Sequence, residues 1–336
     1  MLYLPPIFTD GAIFQRGREI RVYGDGCGEF CARFRGEERR CTARDGFEVT
    51  FPACEAGGPY EMELTLNGET RTLHDLWVGD VLLIGGQSNA ELPICETFDK
   101  GTAFDGDPLV RFYLPLQPYQ EFYDHGEVIY PVGEFTYRWN PLTEENAPRW
   151  SAIALHAALR RRRETGVAVG IVACYKGATN IQTFMSPAAY APFDIPREQW
   201  AEGWMIYRWN IPSLFYSLMV NYELRWPMLG GAWYQGENNR SEAEAAIYAD
   251  MLSAMLAEWR TLQGGRLPMA IVQLNDHPDP TSPLTTAIQN AQAEAAARIP
   301  DCRLVTVRDL GDHDLIHPRN KRDVAERIMD ALAEMW

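Results

Sequence analysis

The sequence predicts an α/β fold: a three-layer, flavodoxin-like parallel five-stranded sheet, preceded by a small antiparallel β domain. Three observations carry that expectation. From Trp77 onward, apolar runs of strand length alternate with longer stretches of helical period, the pattern that builds a parallel sheet covered by helices. Before Trp77 apolar residues instead recur at every second position, as in half-buried antiparallel strands. Between the two regimes lies Val81-Leu82-Leu83-Ile84, an uncharged run closed by Gly85-Gly86, which reads as a strand buried on both faces.

Within residues 1–76 the alternation is clearest at Phe47, Val49 and Phe51, and at Tyr60, Met62, Leu64 and Leu66. Asn67-Gly68 signals a hairpin, because both residues tolerate the positive φ of a two-residue turn. Turns around Gly24, Gly36, Gly46 and Gly57 suit a sandwich-like unit of short strands. No flexible linker separates it from Trp77, so it is expected to pack on the larger unit, residues 77–336.

In that larger unit residues 81–84 form the first strand, 167–174 the second, 228–234 the third, 267–274 the fourth and 302–307 the fifth. Helices are expected over 150–164, 213–225 and 285–298, and from about Asn320 onward with Val324, Ile328, Leu332 and Met335 facing inward. Another opens at Ser241 with Glu244, a capping box, and places Tyr248, Met251, Leu252, Met255, Leu256 and Trp259 on one face. Residues 93–148 and 186–212 are rich in Pro and aromatics and lack a sustained period. They read as insertions looping over the sheet rim. A strand order of 2-1-3-4-5 makes the first strand central and puts its end at the switch point where open α/β sheets bind ligands.

Net charge is −15, from 31 basic and 46 acidic side chains. That balance argues against nucleic acid or an anionic membrane as partner, since both select a basic surface. It also outweighs the reading of Arg160-Arg161-Arg162-Arg163 as an RNA-binding patch; four cations suit a helix C-terminus. The seven cysteines are odd in number and have no metal-site spacing, which points to free thiols. The segment MLYLPPIFTD has no basic region followed by an apolar one, and no apolar run approaches the roughly 20 residues of a membrane span. A cytoplasmic protein without cofactor is the expectation.

Ser88 follows the double glycine, where a core strand ends and the chain turns. A serine there can act as nucleophile; the plainer alternative is a helix N-cap. A serine nucleophile needs a base, and the base an orienter. Asp314-Leu315-Ile316-His317 offers both within one turn after the fifth strand, and Pro318 restricts the backbone that aims the imidazole. The alternative for His317 is a helix-start histidine without a role. Competitors are few: His74 lies at a domain join, His156 inside a helix, and His125 and His277 in loops without an evident partner. Oxyanion donors would come from the ends of the first three strands, as the Ser88 N–H, the Gly177 N–H and the side-chain amide of Gln235. Gln87, Asn89, Glu237 and Asn239 share that rim, as residues that hold loops or contact substrate.

These blocks together resemble the sialate O-acetylesterase family of SGNH (GDSL-like) hydrolases over nearly the whole chain. The residues that carry the resemblance are 7–16 (IFTDGAIFQR), Gly86-Gln87-Ser88-Asn89, Trp233-Tyr234-Gln235-Gly236-Glu237-Asn238-Asn239 and Asp314-Leu315-Ile316-His317-Pro318. The resemblance implies Ser88 as nucleophile, His317 as general base, Asp314 as its orienter and Gln235 at the oxyanion. It further implies a serine esterase that removes acetyl groups from carbohydrates, with sialic acid and hemicellulose oligosaccharides as candidate substrates. Departures are Ala90, where the family usually has Met, and Ala178, Gln182 and Phe184, where relatives tend to carry Gly, an acidic residue and Trp. They leave open whether Gly177 or Ala178 supplies the second N–H. Two other classes stand beside this one. A metal-dependent hydrolase would use Asp309, Asp312, His313, Asp314 and His317, but lacks a two-His helical pair. A non-catalytic carbohydrate-binding protein would keep the fold alone.

Overall fold

The computed structural model describes residues 1–116, 135–200, 209–276, 282–311 and 315–336. Its first strands are β1 (Ile13–Gln15), β2 (Ile20–Phe34), β3 (Glu37–Phe51), β4 (Gly57–Leu66) and β5 (Glu69–Gly86). β2 pairs antiparallel with β3 and β4, and β4 with β5. Asn67 and Gly68 adopt φ of 50° and 84°, so the hairpin between β4 and β5 closes in the expected two residues. Phe47, Val49 and Phe51 of β3 are buried, as are Met62, Leu64 and Leu66 of β4, in the period-two pattern of the sequence. This sheet is fastened to the rest of the chain through Trp226, whose ring stacks on Phe14 at 4.4 Å and meets Phe8 edge-on at 5.0 Å. The Tyr23 hydroxyl also donates to the Tyr222 carbonyl at 2.7 Å.

β5 runs through residues 76 and 77 without a break. Its first half belongs to the antiparallel sheet and its second half to a parallel one. The parallel sheet continues with β6 (Asp107–Tyr113), β7 (Trp139–Leu142), β8 (Val169–Tyr175), β9 (Gly230–Tyr234), β10 (Met269–Val272) and β11 (Cys302–Val305). β5 lies between β8 and β9, and β10 and β11 follow β9, which is the expected order 2-1-3-4-5. Two strands depart from expectation. β6 adds a further parallel strand beside β8, and β7 pairs antiparallel with it, both inside the stretch read as loops. Pro108 and Pro141 break any local strand signal there, so pairing makes these segments strands, β6 against β8 and β7 against β6. Likewise residues 213–225 do not form one regular helix: a π-helical segment, Tyr216–Val220, leads into a short turn of α-helix, Asn221–Glu223.

Helices α1 (Ala152–Thr165) and α4 (Lys321–Ala333) pack together, as do α2 (Glu242–Leu262) and α3 (Ser282–Arg298). Every residue of β8, β9 and β10 is buried, as a parallel sheet covered on both faces requires. Three of the four arginines at the end of α1 pair with carboxylates, and Arg163 is exposed. Arg160 pairs with Glu164, Glu326 and Asp330, Arg161 with Asp80, and Arg162 with Asp107. Those ion pairs give them a packing role between α1, α4 and the sheet.

Candidate active site

The site begins with the glycine pair. Gly86 has φ of 135°, and a Cβ there would lie 2.0 Å from the Tyr234 carbonyl oxygen, so only glycine lets β5 end flush against β9. The chain then enters a single helical turn, Ser88–Glu91, whose N-cap is Gln87. Ser88 is therefore the first helical residue rather than the cap. Its hydroxyl faces another residue: His317 Nε2 lies 2.8 Å from Ser88 Oγ. The two are 229 positions apart in sequence and both half-buried. Burial, and next the charge of Lys321, hold the His317 imidazole below its ordinary pKa, so it stays neutral and able to accept a proton. Asp314, the expected orienter, lies outside the described residues, as do Asp312, His313, His125 and His277. Asp309 is bound to Arg327 by two hydrogen bonds of 2.6 Å.

Two lobes of a cleft meet at Ser88 and His317. One is bounded by Glu91, Leu92, Pro93, Phe112 and Tyr175, with Arg149 at its side. The other is bounded by Lys176, Gly177, Ala178, Trp209 and Asn238, with Arg240 at its side. The expected oxyanion donors fall differently around this centre. A Cβ on Gly177 would lie 3.5 Å from the Ser88 Cβ, so its backbone does approach the nucleophile. Its N–H, however, donates to Glu91 Oε2 at 2.6 Å. Ala178 next to it has φ of 57°, the left-handed conformation that glycine takes without strain. The N–H groups of Ser88 and Ala178 have no hydrogen-bond partner among the described residues.

Gln235 does not open onto the cleft. It is fully buried, and its amide donates to the Thr179 carbonyl at 2.8 Å and Asn239 Oδ1 at 2.7 Å, with Gln87 Oε1 at 3.1 Å. Its own oxygen accepts from the Tyr248 hydroxyl at 2.8 Å. The expectation of an oxyanion donor is corrected here: an amide has two N–H bonds, and both meet protein acceptors. Asn239 likewise belongs to the loop interior. Its amide reaches Gln182 and Glu244, and Glu244 Oε1 accepts from Asn180, Gln182 and Asn239, each at 2.8 Å. Gln182 thus stands opposite a buried carboxylate, where a second acid would repel it.

Asn89 and Glu237 do join the site. Asn89 Nδ2 donates to Glu237 Oε1 at 2.5 Å and to the Ile316 carbonyl at 3.0 Å. Its oxygen accepts from Lys321 Nζ at 2.6 Å. Lys321 and Glu91 are the residues sequence reasoning passed over. Lys321 carried a signal, since a lysine in the first turn of a helix sits at the end where the dipole opposes a cation.

Residues 140–333 match the family described as carbohydrate esterase, sialic acid-specific acetylesterase. The chain is 25% identical over 317 residues to human sialate O-acetylesterase, covering 84% of this chain and 59% of that protein. It therefore spans somewhat over half the length of that curated relative. In structure it is similar to a carbohydrate acetylesterase from Xanthomonas citri, with a TM-score of 0.82, 27% identity and coverage of 100% of this chain and 75% of that one. An Arabidopsis thaliana protein shares the fold alone, with a TM-score of 0.52 and 12% identity over 76% of this chain and 98% of that one. With a match that spans more than half of its residues, this chain belongs to the sialic acid-specific acetylesterase family of carbohydrate esterases.

Proposed function

We propose that the chain is a serine-dependent carbohydrate O-acetylesterase that removes acetyl groups from acetylated sugars through an acetyl-enzyme intermediate. The observation that carries this reading is the 2.8 Å approach of His317 Nε2 to Ser88 Oγ at the end of the central strand. The family and the similarity to the Xanthomonas enzyme support it. His317 accepts the Ser88 proton as Oγ attacks the acetyl carbonyl. The charge developing on that oxygen meets the Ser88 N–H and an N–H of the 177–178 turn. For Gly177 to serve, the substrate must displace Glu91 from its N–H; Ala178 needs no such displacement. His317 then returns the proton to the departing sugar oxygen, and water cleaves the acetyl-enzyme by the same route in reverse. Asp314 orients the imidazole in this reading. Residues 77–336 supply the catalytic groups, and residues 1–76 brace them through β5.

The sugar would lie along the second lobe, against Trp209 and beside Arg240, and a carboxylated sugar would favour an arginine at the rim. Arg149 lines the first lobe, Arg138 is exposed, and Arg208 lies outside the described residues. The test is acetate release from a panel of O-acetylated sialic acid, xylan and mannan fragments by wild type and Ser88→Ala. We expect at least a thousandfold loss of rate in the variant, together with loss of labelling by a serine-reactive phosphonate. Equal rates in the two proteins would refute the assignment.

A further inference from the structure

We propose that Lys321 is a positioning residue for the catalytic base: its buried ammonium, tied through the Asn89 side chain to Glu237 and to the Ile316 carbonyl, holds the His317 turn against Ser88 and keeps a buried positive charge four residues after the base. The inference rests on the esterase reading of Ser88 and His317. Its geometry is a chain of contacts that uses every polar atom of one side chain. Asn89 follows the nucleophile. Its oxygen accepts from Lys321 at 2.6 Å, and its two N–H bonds go to Glu237 at 2.5 Å and Ile316 O at 3.0 Å. The residue beside the nucleophile is thus stitched directly to the residue before the base.

Lys321 is 1% exposed and opens α4, where the helix dipole disfavours a cation. Two unfavourable placements are maintained at once. What offsets them is the Asn89 oxygen, the face of the Tyr234 ring 5.1 Å from Nζ, and the charge of Glu237 behind Asn89. The cost of burial draws the Lys321 amine down to about 7. In the acid range where His317 takes up its proton, Lys321 is therefore charged and repels that second charge.

Other ionisable groups face the same cleft. Glu91, Glu96 and Arg149 line one lobe with His317, and Lys176, Glu237 and Arg240 the other. Glu96 favours the imidazolium and Lys321 disfavours it, with burial acting in the same sense as Lys321. Lys321 is the one of these cations with its ammonium sealed from water, where solvent screens it least.

The test is the pH dependence of kcat/KM for acetyl-ester hydrolysis in the full chain. Lys321→Met removes the repelling charge, raises the His317 pKa and moves the acid limb upward. Lys321→Arg keeps the charge and leaves the limb near wild type. Lys321→Gln keeps a donor for the Asn89 oxygen without the charge and moves the limb the same way as Lys321→Met. A role confined to packing would lower kcat without moving the limb. Unmoved limbs in Lys321→Met and Lys321→Gln, or a limb moved as far in Lys321→Arg, would overturn the proposal. Should Lys321→Met fail to fold, Lys321→Gln carries the test. An NMR titration of the His317 ring, with and without the substitutions, reads the same shift without turnover. Failure there leaves the Ser88→Ala result standing, whereas retained activity in Ser88→Ala removes the esterase reading itself.

Discussion

At the scale of single residues the site separates groups that face substrate from groups that hold the loops. Ser88 and His317 converge on the cleft, while Gln235, which shares a motif block with Glu237, is turned inward and saturated by Thr179, Asn239 and Tyr248. Substituting it therefore tests stability before chemistry. Gln235→Ala should lower the unfolding free energy by about 2–4 kcal/mol, because buried partners lose their hydrogen bonds, read as the shift in denaturant midpoint. Activity per folded molecule should fall by less than the hundredfold expected for a lost oxyanion donor. A normal midpoint with a thousandfold slower reaction would return Gln235 to the oxyanion. Ser88 and Asp314-x-x-His317 were legible in the sequence as residue types at useful places. The direction of the Gln235 side chain was not, because a motif records which groups are near and leaves their rotamers to the surrounding packing.

At the scale of elements, the start of α2 shows how a local signal acquires a distant use. Ser241 caps the helix as its sequence indicates, with Oγ accepting from the Glu244 N–H at 3.1 Å. The Glu244 carboxylate does not complete the box to the Ser241 N–H. It bonds the Ser241 hydroxyl at 3.0 Å and gathers the amides of Asn180, Gln182 and Asn239 from the loops after β8 and β9. The helix N-terminus thus clamps two loops that border the cleft. Glu244→Ala should cost about 3 kcal/mol of stability, since three buried donors lose a charged acceptor. Amide exchange should accelerate at Ile181, whose N–H bonds Asn239 within this network. Unchanged exchange would detach the clamp from the loop. The helices with strong periodic faces matched expectation closely. The strands β6 and β7 did not, since a short strand containing proline carries little local signal and exists by pairing with its neighbour.

At the scale of the whole molecule, β5 is the shared beam of an antiparallel and a parallel sheet, and Asp80 is the pin that fixes it. Asp80 is fully buried and accepts from Arg16, next to β1, at 2.7 and 2.9 Å, and from Arg161 of α1 at 2.7 Å. Both arginines reach solvent in part, so they would rehydrate if released. Asp80→Ala should then cost about 3 kcal/mol, below the loss expected if both partners were sealed from water. A change under 0.5 kcal/mol in the unfolding free energy would show that the ion pairs do not fasten the two sheets. Such pins also explain Arg160, Arg161 and Arg162 of α1, which the acidic chain pairs with its own carboxylates.

By itself the sequence determined the fold class, the central place of the first parallel strand, the hairpin at Asn67-Gly68 and the residues from which a nucleophile and a base could come. Those properties follow from local periodicity, turn chemistry and composition, each of which acts over a few neighbouring residues. Only the tertiary structure decided that Ser88 and His317 meet at hydrogen-bonding distance, that Gly177 is covered by Glu91, that Gln235 faces inward and that Lys321 lies buried behind the base. Each of those depends on groups distant in the chain being brought together with a particular side-chain direction, and that is fixed by packing and by the satisfaction of buried polar atoms.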